Sequence, residues 1–418
     1  MNIRLLGAAL AAAPLPFAYP AAAAAAAPRF GDPVAVGDGI IIDPMLDARL
    51  RWENVETPAK GADAVTIRLR SGLEVKHAPS HLSILAEAEA TGAFDNDYNG
   101  LAFIPNKARA GFATVPDAPN VELNRLQIQY RTKALGLTVG RQRINLDDQR
   151  WVGSVAWRQN EQTFDAVRAE AKLGPAMIDA TYARSQRTIY GVDAGPRTAY
   201  DGNFAFLQAG VKAGPVTVKG FAYLVDYDAA EQAPALAAQL ADTQTYGARA
   251  TTALSLGETV KLNLAASYAR QSNWKGNPAK YGVDYVAGEA GLSAKGFVLT
   301  GGYELLGSDK GHALQTPMAT LHKFNGWADL FLTTPSAGLE DVYVGLNASS
   351  VHFSGFQGTL TWHSFHSDSG DVHFGEEWDA SVGVKVSRVA LLAKFADYRA
   401  RSFGVDTRKF WLQAEYAF

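Results

Sequence analysis

The chain contains no cysteine and only four methionines. The first absence removes disulfide frameworks and thiolate chemistry. Beyond the N-terminal stretch, no apolar run reaches the roughly 18 residues that a membrane-spanning helix needs. Neither charge dominates: 39 basic residues stand against 42 acidic ones, a net charge of -3 over 418 residues. A strongly basic nucleic-acid footprint is thereby excluded at whole-chain level. G-x-S-x-G, H-E-x-x-H and P-loop signatures are missing as well. Glu376 and Glu377 are sequence neighbours on a strand pattern, so they face opposite sides and cannot flank one glycosidic bond. What is plentiful is glycine (39) and aromatic side chains (11%), a mixture that favours β-structure.

Residues 1–27 combine Arg4, a short apolar stretch and an alanine tract. They read as a secretory signal peptide that is removed, and Pro14, Pro16 and Pro20 argue against a retained helix. Residues 28–45 are expected to be an N-terminal periplasmic lead-in, and 46–418 a single barrel domain. From about residue 46 the dominant pattern has period two. In ELNRLQIQYR, Leu126, Ile128 and Tyr130 alternate with Arg125, Gln127, Gln129 and Arg131. Such alternation makes strands with one apolar and one polar face. Tight Gly/Pro/Ser links (KLGP, KAGP, SLGE, SAKG) alternate with long polar stretches such as 95–120, 145–162, 227–242 and 307–338. Short, long, short, long is the rhythm of an outer-membrane barrel, with short periplasmic turns and long external loops. About 18 strands follow, each near the ~9–11 residues that cross a bilayer when tilted. The fold class is therefore all-β, a transmembrane antiparallel β-barrel. Its last strand alternates up to the terminal Phe418, and Trp52, Tyr130, Tyr268, Trp362, Trp378 and Tyr416 suit interfacial girdles. A secreted propeller or sandwich would also alternate, but it would pack its inner face as an apolar core. Here charged residues recur on that face, and no 40–50-residue repeat is visible.

Two long motifs stand out. One is GRQRINLDDQRWVGSVAWRQNEQTFDAVR from Gly140, the other TPMATLHKFNGWADLFLTTPSAGLEDVYVGL from Thr316, with FDNDYNG and ELNRLQIQY upstream. Together they resemble the alginate-export family of Gram-negative outer-membrane barrels. The resemblance runs from about Ala48 to Phe418. It implies an 18-stranded monomeric barrel with an arginine-bearing lumen that passes an anionic polysaccharide or a small solute.

Strand parity and the first motif nominate the pore lining: Arg49, Arg51, Arg68, Arg70, Arg125, Arg131, Arg141, Arg143, Arg150, Trp157, Arg158, Arg168 and Arg187. Bases outnumber acids only slightly along the inward faces, and basic rings favour anions. The expected function is a porin passing polar, weakly anion-preferring solutes (sugars, uronates or oligosaccharides) by passive diffusion. The alternative is a dedicated exporter of an anionic exopolysaccharide such as alginate. A barrel enzyme would need a convergent Ser–His or Asp–His pair, and parity offers none. The expected partners are the bilayer with its lipopolysaccharide and the solute. No cofactor or nucleic acid is implied. The 307–338 segment has the length to fold inward as a constriction. Asp95, Asp97 and Asn99 are spaced like the start of a calcium loop, but position 12 is Asn106 rather than a bidentate Glu, which favours an Asx-rich turn. His352, His363, His366 and His373 cluster without the spacing of a metal site.

Overall fold

The computed structural model describes residues 29–418 apart from 96, 105, 229–239 and 351–354. The leader expected over residues 1–27, most of the 227–242 loop and His352 therefore lie outside the described residues.

Eighteen strands form the barrel. The first half comprises β1 (Ile40–Glu56), β2 (Gly61–His77), β3 (Leu82–Ala93), β4 (Asn120–Arg131), β5 (Leu135–Gln142), β6 (Thr163–Leu173), β7 (Ala176–Arg187), β8 (Ala199–Ala213) and β9 (Val216–Tyr227). The second comprises β10 (Thr243–Ser255), β11 (Val260–Asn273), β12 (Gly282–Ala294), β13 (Phe297–Leu306), β14 (Leu339–Ser350), β15 (Phe356–His366), β16 (His373–Val386), β17 (Val389–Ala400) and β18 (Thr407–Ala417). Each strand pairs antiparallel with its neighbours in sequence. β1 and β18 close the sheet from Asp47↔Ala417 to Glu56↔Arg408. Closure leaves no unpaired edge across the middle of the wall, as hydrocarbon surroundings demand.

The first strand begins at Ile40, six residues before the expected start at 46, because Ile40–Leu46 pairs with Ser71–His77. Pro44 is tolerated there because β18 stops at Ala417, opposite Asp47, so the donor that proline lacks faces no partner strand. A short strand, Val34–Gly37, folds back on Ile40–Ile42.

The alternation read from the sequence holds. Leu50, Ile67, Leu69, Ile84, Ile128, Val139 and Leu412 stand exposed on the outer face, while Arg49, Arg51, Arg68 and Arg70 between them are buried inside. Trp362 lies opposite Trp378 on that outer face, and Tyr130 and Tyr268 are exposed there too. Three bulges interrupt the parity; one, at Phe374 of β16, adds that ring to the interior, and the other two bear on nominated residues. The first of these sends both Asn124 and Arg125 inward onto Glu87. The other, at Arg184, turns Gln186 inward and leaves Arg187 at the rim end of its strand.

The interior departs from the expectation of a polar inner face throughout. On β8 and β9 the inward residues include Phe204, Phe206, Phe221, Tyr223, Val225 and Tyr227, all buried, beside the polar Gln208 and Lys219. They are buried because chain folds in from the long-loop rim and packs on them. Ile144, Leu146, Val152, Leu314 and Met318 join them in one apolar cluster, with Trp151 at its margin. Trp151 lies 5.6 Å from Phe221 and 5.2 Å from Tyr285 between ring centres. The barrel thus holds an apolar core that continues from β8 and β9 round to Phe365 of β15, Tyr398 of β17 and Trp411 of β18.

Candidate functional site: a plug held between two charged walls

Three connections from the same rim, 94–119, 143–162 and 307–338, enter the lumen. Chain without a regular ladder must find partners for its N–H and C=O groups wherever it is buried. The barrel supplies them by sign of charge.

One wall is basic and faces carbonyls. Arg49 Nη1 reaches the carbonyls of Ala156, Trp157 and Arg158 at 3.0, 3.1 and 3.3 Å. Arg51 Nη2 donates to the Trp157 carbonyl at 2.6 Å, and Arg70 Nη2 to that of Gln159 at 3.3 Å. Every side chain from Trp157 to Gln162 is buried. Gln159 Nε2 donates to Thr66 Oγ1 (2.9 Å), and Asn160 accepts from Thr91 and donates to the Ala118 and Ile189 carbonyls. Glu161 gathers Arg143, Arg70 (3.2 Å) and Asn124 (2.6 Å). Burial raises the Glu161 carboxyl, but Arg143 and Arg70 outweigh it and hold the group well below the usual carboxylate range.

A second stretch of wall, on β13, β14 and β16, is acidic and faces amides. Glu377 accepts the Ala328 N–H at 2.7 Å and Asp379 the Trp327 N–H at 3.1 Å. Glu304 and Asp341 accept from the Asn325 amide at 2.7 and 3.2 Å. The turn that presents these donors depends on Gly326. Its φ is +83°, and a Cβ there would lie 2.4 Å from Glu377 Oε2.

The loops also lock to each other. Arg150 runs from Glu304 (2.7 Å) to Thr316 and Asn325. Arg158 joins Glu53 on β1 (3.1 Å) to Asp329 (2.7 Å), which also takes Lys409 of β18 at 3.0 Å. Trp157 stacks on His322 with centres 4.7 Å apart and planes 5° from parallel. The Lys394 ammonium of β17 sits 4.1 Å from the ring centre of Trp157 and 3.6 Å from that of Trp327, a strong cation–π setting. It also approaches His322 Nε2 at 2.7 Å. Lysine only donates, so Nε2 accepts and the imidazole proton sits on Nδ1, facing Asp329 at 2.7 Å.

This geometry gives the lock a pH sign. Burial pulls the His322 imidazole well below its ordinary 6.5; Asp329 opposes and Lys394 assists. A released loop binds a proton below about 6.5 that the closed form refuses, so the locked state loses stability as pH falls from 6.5. For Asp329, burial raises the carboxyl, but His322, Lys409 and Arg158 prevail and hold it well below 3.8. Its contribution, present above that value, is unchanged between pH 7 and 5. We expect the open probability of single channels to rise between pH 7 and 5, by at most about tenfold per unit. His322→Gln should flatten the profile; an unaltered slope in that variant would sink the assignment.

The nominated residues divide accordingly. Arg49, Arg51, Arg70, Arg150, Trp157 and Arg158 belong to the plug and its anchors rather than to open pore wall. Arg68 pairs with Asp47 but leaves Nε and Nη1 without a partner. Arg125, Arg131, Arg143 and Arg168 are partly exposed and pair with Glu87, Glu170, Glu161 and Asp179. Arg187 reaches Glu122 at 3.3 Å. Arg141 is a correction. It lies opposite the outward Leu126 and shares the face of Leu137 and Val139, bonded to Asp165 at 2.8 Å, so it does not line the lumen. Asp95 accepts the Val65 N–H, while Asn99 bonds Arg109 N and Thr114 within its own loop; Asp97 contributes a backbone carbonyl to Asp63. Among the described residues, no group of three or more acidic or histidine ligands is placed to hold a metal. His363 pairs with Asp341 in the lumen, and His366 stacks on His373. The acidic anchors and the Lys394–tryptophan contact were not singled out from the sequence as a site.

The fold is similar to several solved porin structures. Pseudomonas aeruginosa OpdK, solved with vanillate, aligns with a TM-score of 0.69 at 14% identity over 90% of this chain and 98% of that one. Acinetobacter baumannii OccAB3 gives 0.68 at 12% identity over 90% and 99%. No curated protein sequence matches the chain. The family model described as alginate export matches residues 48–297, more than half of the sequence. With its closed 18-stranded wall and apolar outer belt, the chain belongs to the alginate-export family and is an outer-membrane β-barrel.

Proposed function

We propose that the barrel is a porin, a passive channel for small polar solutes with a weak preference for anions, narrowed by its own infolded loops. The observation that carries this reading is the contrast between a sealed plug and an accessible charged wall. Beside the plug, Arg125 and Arg143 are partly exposed around Glu87, with Arg168 and Lys219 also partly exposed. Such bases raise the local concentration of anions in a low-dielectric tube. The vanillate in the OpdK structure makes small carboxylates sensible first solutes to try. One chain closes the barrel, so we take the monomer as the working unit, surrounded by lipid and lipopolysaccharide. No catalytic step is proposed.

Planar-bilayer recording in a salt gradient tests the reading, with reversal potential as the measure. Arg143→Ala should shift it toward cation selectivity, while Arg141→Ala on the outer face should leave it unchanged. Equal shifts in both variants would remove the lumenal assignment, and absence of conductance would remove the channel. The second reading, export of an anionic polysaccharide, draws on the family's description. It calls for passage of uronate oligomers that the locked plug excludes, measurable as flux from loaded proteoliposomes.

A further inference from the structure

The closed wall leaves one margin over. β2 covers β1 along its whole length. On the other side of β1 the ladder with β18 ends at Leu46, whose N–H donates to the Phe418 carbonyl at 3.2 Å and whose carbonyl accepts the Phe418 N–H at 3.0 Å. Residues 40–45 of β1 run on beyond that point. A bare margin of this kind is a template for a foreign strand. Here the lead-in lies on it. Val34 and Ala35 pair with Ile42 and Ile41, and Gly37 pairs with Ile40. The lead-in thus takes up the line of β18 where β18 runs out.

Its head is held by specific groups. Residues 29–32 make a tight turn, in which the Arg29 N–H donates to the Asp32 carboxylate at 2.6 Å and the Asp32 N–H to the Arg29 carbonyl at 3.0 Å. Gly31 has a φ of +87°, and a Cβ there would run into the Phe418 ring. The Phe30 ring meets Phe418 edge-on at 5.2 Å between centres. Arg388, in the turn between β16 and β17, donates to the Phe30 carbonyl and, at 2.8 Å, to Asp32. Its guanidinium also lies 5.3 Å from the centre of the Phe418 ring. Among the described residues, Asp32 is the one carboxylate within ion-pair reach of Arg388.

The segment is nevertheless lightly held. Phe30, Val34 and Val36 are 81, 54 and 55% exposed. Its ladder has three pairs, and the register slips between Ala35 and Gly37. A segment with so little buried contact opens at a far lower free energy than the wall beneath it.

We propose that the β1 margin, with Phe418 and Arg388, is a peptide-binding site that the chain's own lead-in closes as a detachable strap. The site takes a strand headed by a tight turn, with an aromatic residue two positions before a carboxylate, as Phe30 and Asp32 stand here. Main-chain pairing supplies affinity, and the ring and the guanidinium supply selection. A tethered strap competes at an effective concentration on the order of millimolar. A free peptide of micromolar affinity is therefore excluded while the strap is seated.

Fluorescence anisotropy tests this with a labelled peptide of residues 28–37 and the detergent-solubilised barrel. The wild type should bind the peptide weakly. Gly31→Val, which drives the strap off the Phe418 ring, and Asp32→Ala, which removes its ion pair, should each bind about tenfold more tightly or better. Adding Arg388→Ala to Gly31→Val should lose that gain. So should a peptide whose Phe30 and Asp32 are both alanine. Carboxypeptidase should release Phe418 faster from the two unstrapped variants than from the wild type. Equal binding by all the barrels, or equal binding of the altered peptide, overturns the proposal. So does absence of binding by unstrapped variants whose β-sheet circular dichroism matches the wild type.

Discussion

Replacing residues 145–160 by a short Gly-Ser link should raise single-channel conductance several-fold and abolish the rise in open probability expected of the wild-type barrel between pH 7 and 5. The cut is geometrically mild. Gln142 lies opposite Phe164 on adjoining strands, so a tight turn can join them without disturbing the ladder. The deletion removes Trp151, Trp157 and Arg158, and with them the stacking on His322 and the bridge to Asp329. It also uncovers Phe204, Phe206, Phe221 and Tyr223, each worth about 1.5–3 kcal/mol of burial. The closed hydrogen-bonded wall keeps the barrel intact, but its thermal midpoint should fall. Conductance equal to that of the wild type would mean that current does not pass the plug at all.

Arg158→Ala is the strongest single change. It leaves Glu53 and Asp329 buried after removing a guanidinium that touches both. Breaking a buried pair in this way costs about 3–5 kcal/mol. At about 1.4 kcal/mol per tenfold, the plug equilibrium should shift toward release by some two to three orders of magnitude. Lys409 still reaches Asp329 at 3.0 Å, so Glu53 suffers most, and Arg158→Ala with Glu53→Gln should recover part of the closed state. Recordings should show frequent large openings in the single variant and fewer in the double. If both behave as wild type, Arg158 contributes nothing to the lock.

The wall was largely readable from the sequence because a barrel writes its topology in period two. Leu126, Ile128 and Tyr130 announce their face, and Arg125 and Arg131 theirs, even with a bulge between Asn124 and Arg125. Arg141 was misplaced although its own strand carried the answer: Leu135, Leu137 and Val139 precede it on the outer face. Its place in an arginine-rich motif outweighed its parity. The bulge at Arg184 has no comparable signature, so Arg187 followed a parity that the chain abandons three residues earlier. The plug was less legible for a different reason. The inward acids Glu304, Asp341, Glu377 and Asp379 could be placed on the lumen face, but their partners lie on loops with no periodicity. Nothing in local pattern tells that Asp329 will meet Arg158, 171 positions away. The aromatic face of β8 and β9 is similar: it makes sense only once the incoming loop covers it.

The seam between β1 and β18 carries a consequence for how the protein matures. Arg49 holds the 156–158 carbonyls while pairing with Glu415, and Arg51 binds Trp157 while pairing with Gln413. Lys394 and Lys409, which meet the loops from the other side, belong to the last two strands. The docking site for the loops is thus assembled from the two ends of the chain and is complete only when those ends have met. Contacts of such wide sequence separation form late. The seal therefore reports on assembly: a barrel whose ends have not joined offers the loops half a socket, and a nascent wall stays leaky until its last strand is in place.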